Sequence, residues 1–393
     1  MKVLTFTSLF PNHRQPNKAV FIRHRVHALK KYRGVDLRVV APIPYFPDLP
    51  AFGKWHLYSQ IQRREWFEGM EIHHPRYLVT PKVGMAMYGY AMFLGALNTV
   101  RRLEREFPFD LIDAHYLYPD GLAAVLLGKY FKRPVILSAR GTDTHHYPGI
   151  PIVRGHIKRA LGDADHLISV CDSLKSIMVG LGCPSGKISV VPNGIDPSRF
   201  FPKSREDARR AVGVPSDARM LLTVGTLNEN KGMGILVEAL SLIDAMGALD
   251  FDTYMVGDGE SREAIGRSIA EKGLESRVRI VGEVPNNDLV DWYNAADLFF
   301  LGSRREGWPN VIVEALACGT PVVATPVNGV PEILRSEAHG LTVERGAKSF
   351  AEGIARAFAT RWDHGAIAGH GQGRTWENVA GEVYDLFRRV CGQ

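Results

Sequence analysis

The chain has 393 residues, 45% apolar and 23% charged, which is more than one hydrophobic core serves and predicts two domains. Its formal charge of +6 is unevenly shared: residues 1–190 hold 26 Lys and Arg against 14 Asp and Glu, a net +12, whereas residues 191–393 hold 22 against 28, a net −6. No zinc-ligand cluster, RNP-like strand or aromatic-interleaved basic tract accompanies the basic half, so nucleic acid is not the expected partner; an anionic membrane surface or a phosphorylated acceptor fits better.

Cys171, Cys183, Cys318 and Cys391 are widely spaced and form no CxxC pair, which points to a reducing cytoplasm rather than a disulfide scaffold. The apolar run 3–10 is too short and too lightly flanked for a signal peptide, and no run of roughly 18 apolar residues follows. A soluble protein, at most peripheral on the cytoplasmic face of a membrane, is the expectation.

In chain order, short β-rich runs alternate with helical patterns: VLTFTS, a helix near 21–32, DLRVVAP, DLIDAHY, a helix from 121, PVILSAR, a helix near 153–161, HLISV and KISVVPNG. That rhythm predicts parallel strands joined by helical crossovers. It begins again with MLLTVGT, a helix at 234–245, DTYMVGDG, a helix at 261–272, VRIVGEV, a helix at 287–295, DLFFLGS and TPVVAT. The expected fold class is therefore α/β, with two doubly wound Rossmann-like domains. Residues 1–191 form the first domain and 192–373 the second, with Pro192-Asn193-Gly194 and the polar stretch through Asp217 as linker candidates. Residues 374–393 carry an apolar stripe, Val379, Val383, Leu386, Phe387 and Val390, and are expected to pack back toward the first domain. A long excursion, 44–106, ends in an amphipathic helix; packing in the core is the leading reading and membrane contact the other.

The most informative stretch is SRREGWPNVIVEALACGTPVVAT, 303–325. Pro309 suits a first helical position and Gly319 a helix stop, so a helix is predicted over 309–318, at the C-terminal end of the FFLGS strand. The free N–H groups of its first turn suit a diphosphate, because ligands of open parallel sheets bind at strand C-termini. Glu314 stands alone in an apolar helix and needs polar partners there, ribose hydroxyls or a structural salt bridge. Glu306, on the preceding loop, is placed either to accept sugar hydroxyls or simply to be solvated.

Glu306 and Glu314 match the Glu-x7-Glu signature, and the chain resembles the retaining glycosyltransferases of family 4, whose GT-B fold implies two such domains facing each other across a cleft. PNGID (192–196), VGTLNENKG (224–232), VGDGESR (256–262), GEVPNNDLVDWYNAADLFFLGS (282–303), EALACGTPVVAT and GVPEI (329–333) carry the resemblance in the expected order. LFPN, RVHAL, PIPYFP and ARGTD look like the teichuronic-acid and polysaccharide-type members. The resemblance implies a nucleoside-diphosphate sugar donor, a UDP-sugar, on the second domain, with Gly225, Thr226, Lys231, Val284, Glu306, Gly307, Trp308, Pro309, Asn310, Val311 and Glu314 as donor-binding residues. Lys231 would neutralise the leaving diphosphate, against the alternative of an exposed loop lysine. It further implies a glycan or lipid-linked acceptor, retention by front-face attack, and no metal or other cofactor.

Two departures matter: Thr226 stands where the family often has arginine, and Asn17-Lys18-Ala19 replaces its glycine pair. His115 and Arg140, which end strands of the first domain, and Asp143 beside them are reaction-centre or acceptor-side candidates with Asn17 and Lys18; helix capping by Asp143 and a structural His115 are the alternatives. Asp163-x-Asp165 and Asp250-x-Asp252 precede strands, at the sheet edge away from the ligand, which argues against a metal-bridged diphosphate. A sugar-nucleotide epimerase of the same architecture is the nearest alternative function. A pyridoxal-dependent phosphorylase lacks a lysine context, and a dehydrogenase is weakened because VGDGES has no third glycine of G-x-G-x-x-G.

Overall fold

A computed structural model describes residues 1–80, 84–215, 218–247 and 249–393, so the end of the candidate linker, residues 216–217, lies outside the described residues, as do 81–83 within the excursion. The chain divides into two units, residues 1–193 with 376–393, and residues 194–375.

In unit 1 the strands are β1 (Lys2–Phe6), β2 (Asp36–Val40), β3 (Ile43–Pro44), β4 (Arg64–Phe67), β5 (Met70–His73), β6 (Arg76–Tyr77), β7 (Leu111–His115), β8 (Val135–Ala139), β9 (His166–Ser169) and β10 (Ile188–Val190). The main sheet has the order β10-β9-β8-β7-β1-β2-β5-β4. All its pairings are parallel except β4 with β5, a hairpin that the sequence rhythm did not predict. Central parallel strands such as LIDAH and VILSA are buried along their whole length, mostly by apolar side chains, with Asp113, His115 and Ser138 as buried polar exceptions. The helix Tyr88–Glu106 turns Met92, Ala96, Val100 and Leu103 into the core, so the excursion is anchored by packing. Its Gly95 lies where any side chain would meet the carbonyl of Arg76, which brings the helix directly onto β6. The helix Trp376–Val390 buries Val379, Val383, Leu386 and Phe387 in the core that the helix Val20–Arg33 also fills.

Unit 2 is a six-stranded parallel sheet of β11 (Met220–Val224), β12 (Asp252–Val256), β13 (Val278–Gly282), β14 (Leu298–Leu301), β15 (Val322–Ala324) and β16 (Gly340–Thr342), in the order β13-β12-β11-β14-β15-β16. Chain direction across the sheet reverses between β11 and β14, and in unit 1 between β1 and β7. At such a switch point the loops leave the strands on opposite faces, which opens a crevice at their C-terminal ends. Among the described residues no helix is long and apolar enough to cross a membrane.

Candidate functional site

The unit 2 switch point gathers most of the residues singled out on the second half of the chain. After β11 the backbone turns at Gly225, whose φ of 151° disfavours a side chain, and a Cβ there would lie 3.7 Å from Cε of Lys231. Asn228 caps the 3-10 turn Glu229–Lys231 by accepting the Lys231 N–H at 3.1 Å. Gly232 closes that turn with φ 73°; a Cβ at this position would stand 2.0 Å from the carbonyl oxygen of Gly302. Only glycine allows this contact, which seats the Lys231 turn against the residue that follows β14.

The loop after β14 supplies the counter-charge. Lys231 Nζ donates to Glu306 Oε1 at 2.6 Å, and Ser303 Oγ donates to the same oxygen at 2.6 Å. Oε2 has no partner among the described residues. The Glu306 N–H donates to Asn328 Oδ1 at 3.1 Å, and Thr325 Oγ1 donates to the Ser303 carbonyl at 2.6 Å, so two segments hold the loop. The side chains of Lys231 and Glu306 are 20% and 11% exposed, which leaves the pair reachable from solvent.

The helix expected over 309–318 runs Asn310–Ala317; Pro309 is its N-cap, with ψ of 93°, rather than its first helical residue. The correction is geometric, since an extended ψ lets the chain swing from the Trp308 loop into the helix axis. First-turn N–H groups of any helix have no acceptor in a preceding turn, and they carry the positive end of its dipole. Trp308, Val311 and Val284 lean on the unit 2 core, and Trp308 Nε1 is buried with no hydrogen-bond partner among the described residues. Thr226 is exposed and Gly307 half-buried.

Glu314 lies inside, 8% exposed, and accepts the phenolic hydrogen of Tyr293 at 2.8 Å on Oε2. Burial pushes its carboxyl up to about 7, against the Tyr293 hydrogen bond and the charge of Arg199, which both favour the anion. Neither Tyr293 nor Arg199 was singled out on the sequence. Tyr293 sits in an apolar helix, and only an unpaired buried glutamate announces that such a donor must exist.

Unit 1 has its own polar cluster at the ends of β7 and β8. His115, the last residue of β7, is completely buried, and its Nδ1 lies 2.6 Å from Arg140 Nη2. Arg140 also donates to Asn193 Oδ1 at 3.1 Å and sits 5.4 Å over the Phe21 ring. Behind them Arg25 pairs with Asp113 and donates to Ser138 Oγ at 2.9 Å. Asp143 is fully buried too, and its carboxylate accepts the N–H groups of Leu117 at 2.8 Å, Gly141 at 2.7 Å and Arg140 at 3.1 Å. It shapes the loop from inside the short helix Thr142–His145, whose N-cap is Gly141 without a side-chain cap, and it reaches no solvent. Lys18 is half-buried with its ammonium 5.9 Å from the Tyr58 ring, and burial lowers its pKa; Asn17 is exposed on the same turn.

The Asp-x-Asp residues are engaged elsewhere: Asp163 with Lys129 at 2.6 Å, Asp165 with the Val135 N–H at 2.7 Å, Asp250 with Arg277 and Asp252 with Arg279 at 3.8 Å. Among the described residues no group of three or more His, Cys, Asp or Glu could hold a metal ion.

Two Rossmann-like α/β units are the architecture of the GT-B fold. Residues 204–364 match the glycosyl transferases group 1 family and residues 19–199 match glycosyltransferase family 4. The chain belongs to the family 4 glycosyltransferases and is an enzyme of that type. It is 33% identical, over 99% of its own length and 94% of the relative's, to Bacillus subtilis TuaC, a glycosyltransferase assigned to teichuronic acid biosynthesis. In fold it is similar to sucrose-phosphate synthase from Thermosynechococcus elongatus, with a TM-score of 0.81 at 20% identity over 100% of this chain and 99% of that one. It is similar also to Anabaena HepE solved with UDP and glucose, with a TM-score of 0.74 at 18% identity over 99% of this chain and 100% of that one. Membership in a transferase family leaves the epimerase reading without support.

Proposed function

We propose that this glycosyltransferase moves a sugar from a UDP-sugar, with retention and without a metal, to a lipid-linked or polysaccharide acceptor. The observation that carries the reading is the meeting of Lys231, Glu306 and the start of the helix Asn310–Ala317 at one switch point. A cation and a helix dipole placed at a departing diphosphate stabilise the charge that develops there, the largest single term in many enzymes. In the proposed reaction the bond from the anomeric carbon to the diphosphate oxygen breaks while the acceptor oxygen bonds to the same face of that carbon. The acceptor proton passes to the leaving phosphate, so no protein nucleophile is needed. Glu306 Oε2 accepts a donor-sugar hydroxyl, and Glu314 accepts the ribose hydroxyls in company with Tyr293.

The relation to TuaC and to HepE solved with UDP and glucose supports the polysaccharide acceptor and the UDP donor. On the acceptor side the reading draws on Arg140, Lys18 and Asn17 of unit 1. Four free cysteines suit the cytoplasm, and exposed Tyr45, Leu78, Met87 and Leu94 in a basic half suit its anionic membrane surface. Thermal-shift titration with UDP, GDP and ADP, followed by NMR of the product's anomeric proton, tests the proposal. Stabilisation by UDP and a retained configuration are expected. Stabilisation by none of the three nucleotides, or an inverted product, overturns it.

A further inference from the structure

We infer that His115 is a positioning residue, a neutral acceptor that holds the Arg140 guanidinium, and that Arg140 rather than the imidazole is the group of unit 1 that meets the reacting molecules. The inference rests on the acceptor-side assignment of these strand ends.

The hydrogen inventory carries it. A guanidinium has only N–H donors, so Nδ1 of His115, 2.6 Å from Arg140 Nη2, must accept and bears no proton. The ring's proton is then on Nε2, which faces Asp113 Oδ2 at 3.3 Å. The alignment there falls short of a hydrogen bond, yet among the described residues neither buried atom has a hydrogen-bond partner, so each faces the other as its nearest complement. The opposite tautomer would set N–H against N–H at one end and a lone pair against a carboxylate at the other. Doubly protonated, the ring would still clash with Arg140. It would also add a charge to a closed cluster in which Arg25 and Arg140 already face Asp113, the carboxylate beside the ring.

The charged groups facing the ring are Asp113 from its own strand, Arg25 from the helix Val20–Arg33 and Arg140 from the loop after β8. Burial first, and then Arg25, push the imidazole down to about 3, which agrees with a ring that stays neutral. Arg140 is the member of the network that approaches solvent, at 9% exposure, and among the described residues its buried Nε has no hydrogen-bond partner. The network therefore ends in the Arg140 cation, held in place by a histidine that never reaches the surface.

Histidine-ring 15N NMR on the full chain tests this, with the signal identified by its loss in His115→Gln. The expected ring carries hydrogen on Nε2 only, does not titrate between pH 5 and 9, and shifts its Nδ1 resonance in Arg140→Met. An Nδ1 proton, titration within that window, or an unmoved resonance in Arg140→Met overturns the inference. Turnover gives a second readout, taken as UDP release from UDP-glucose in variants whose melting temperatures match the wild type. His115→Gln, which restores an acceptor, should retain activity within about threefold and keep the pH profile, whereas His115→Leu and Arg140→Met fall together by about a hundredfold. Equal loss in Gln and Leu, with a pH inflection gone, means that the imidazole moves a proton and sinks the inference. None of the NMR results depends on the donor assignment, so failure of that reading would show separately as an absence of UDP stabilisation.

Discussion

Both units fold into doubly wound sheets, and both gather charge at the switch point, but they treat that charge oppositely. In unit 2 the Lys231–Glu306 pair stands at the crevice rim, partly solvated, with one carboxylate oxygen unused. In unit 1 the Arg25–Asp113 pair is almost wholly enclosed and works only through its neighbours. Solvated charges at a strand end can exchange partners for a ligand, whereas enclosed ones cost too much to unpair and serve as scaffold. Position at the sheet's C-terminal edge is thus shared, and depth divides binding from support.

The sharpest way to break this comparison is to remove Asp113. Asp113→Ala leaves Arg25 buried and uncompensated, and urea denaturation should show a loss of about 3–5 kcal/mol. A loss below about 1 kcal/mol would mean that the unit 1 pair is no scaffold. Next in size come Glu306→Ala and Lys231→Ala, each expected to lower turnover by about 10²–10³-fold with the melting temperature nearly unchanged. Near-native turnover in both would remove the functional half of the contrast.

Titration separates the units by sign. The Glu314 carboxyl is raised from 4.5 to about 7, so between those values the folded state holds more protons than the unfolded one, and stability falls as pH rises through the window. His115 is lowered from 6.5 to about 3, so the unfolded state holds more protons there, and stability falls as pH drops through that range. Glu314→Gln should flatten the first slope and His115→Gln the second, each on the order of 1–3 kcal/mol in urea midpoints measured from pH 4 to 8. If one variant flattens both slopes, the two environments are not distinct. The smallest effect expected is at the opposite sheet edges: Asp163→Asn should change stability by less than about 1 kcal/mol, and EDTA should leave turnover unaltered. A loss of activity restored by a divalent cation would contradict the metal-free reading.

Several features could be read without coordinates because they are local or periodic. The doubly wound class followed from alternating apolar runs and helical spacing, and the family from its ordered motifs. The need of Glu314 for a partner followed from one carboxylate in an apolar helix. Pro309 was misplaced by one residue, since the choice between N-cap and first helical position depends on a ψ angle that composition does not set. The β4–β5 hairpin was missed because its short strands lie inside a long excursion with no clear alternation.

The sequence alone determined fold class, family and the residues at strand ends, because side-chain periodicity and motif order are properties of a chain. Only the tertiary structure decided that Lys231 meets Glu306 across 75 positions, that Tyr293 is the donor to Glu314, and that Asp143 and His115 are enclosed. Depth and partnership arise from how distant segments pack, and the energy of a charge depends on both.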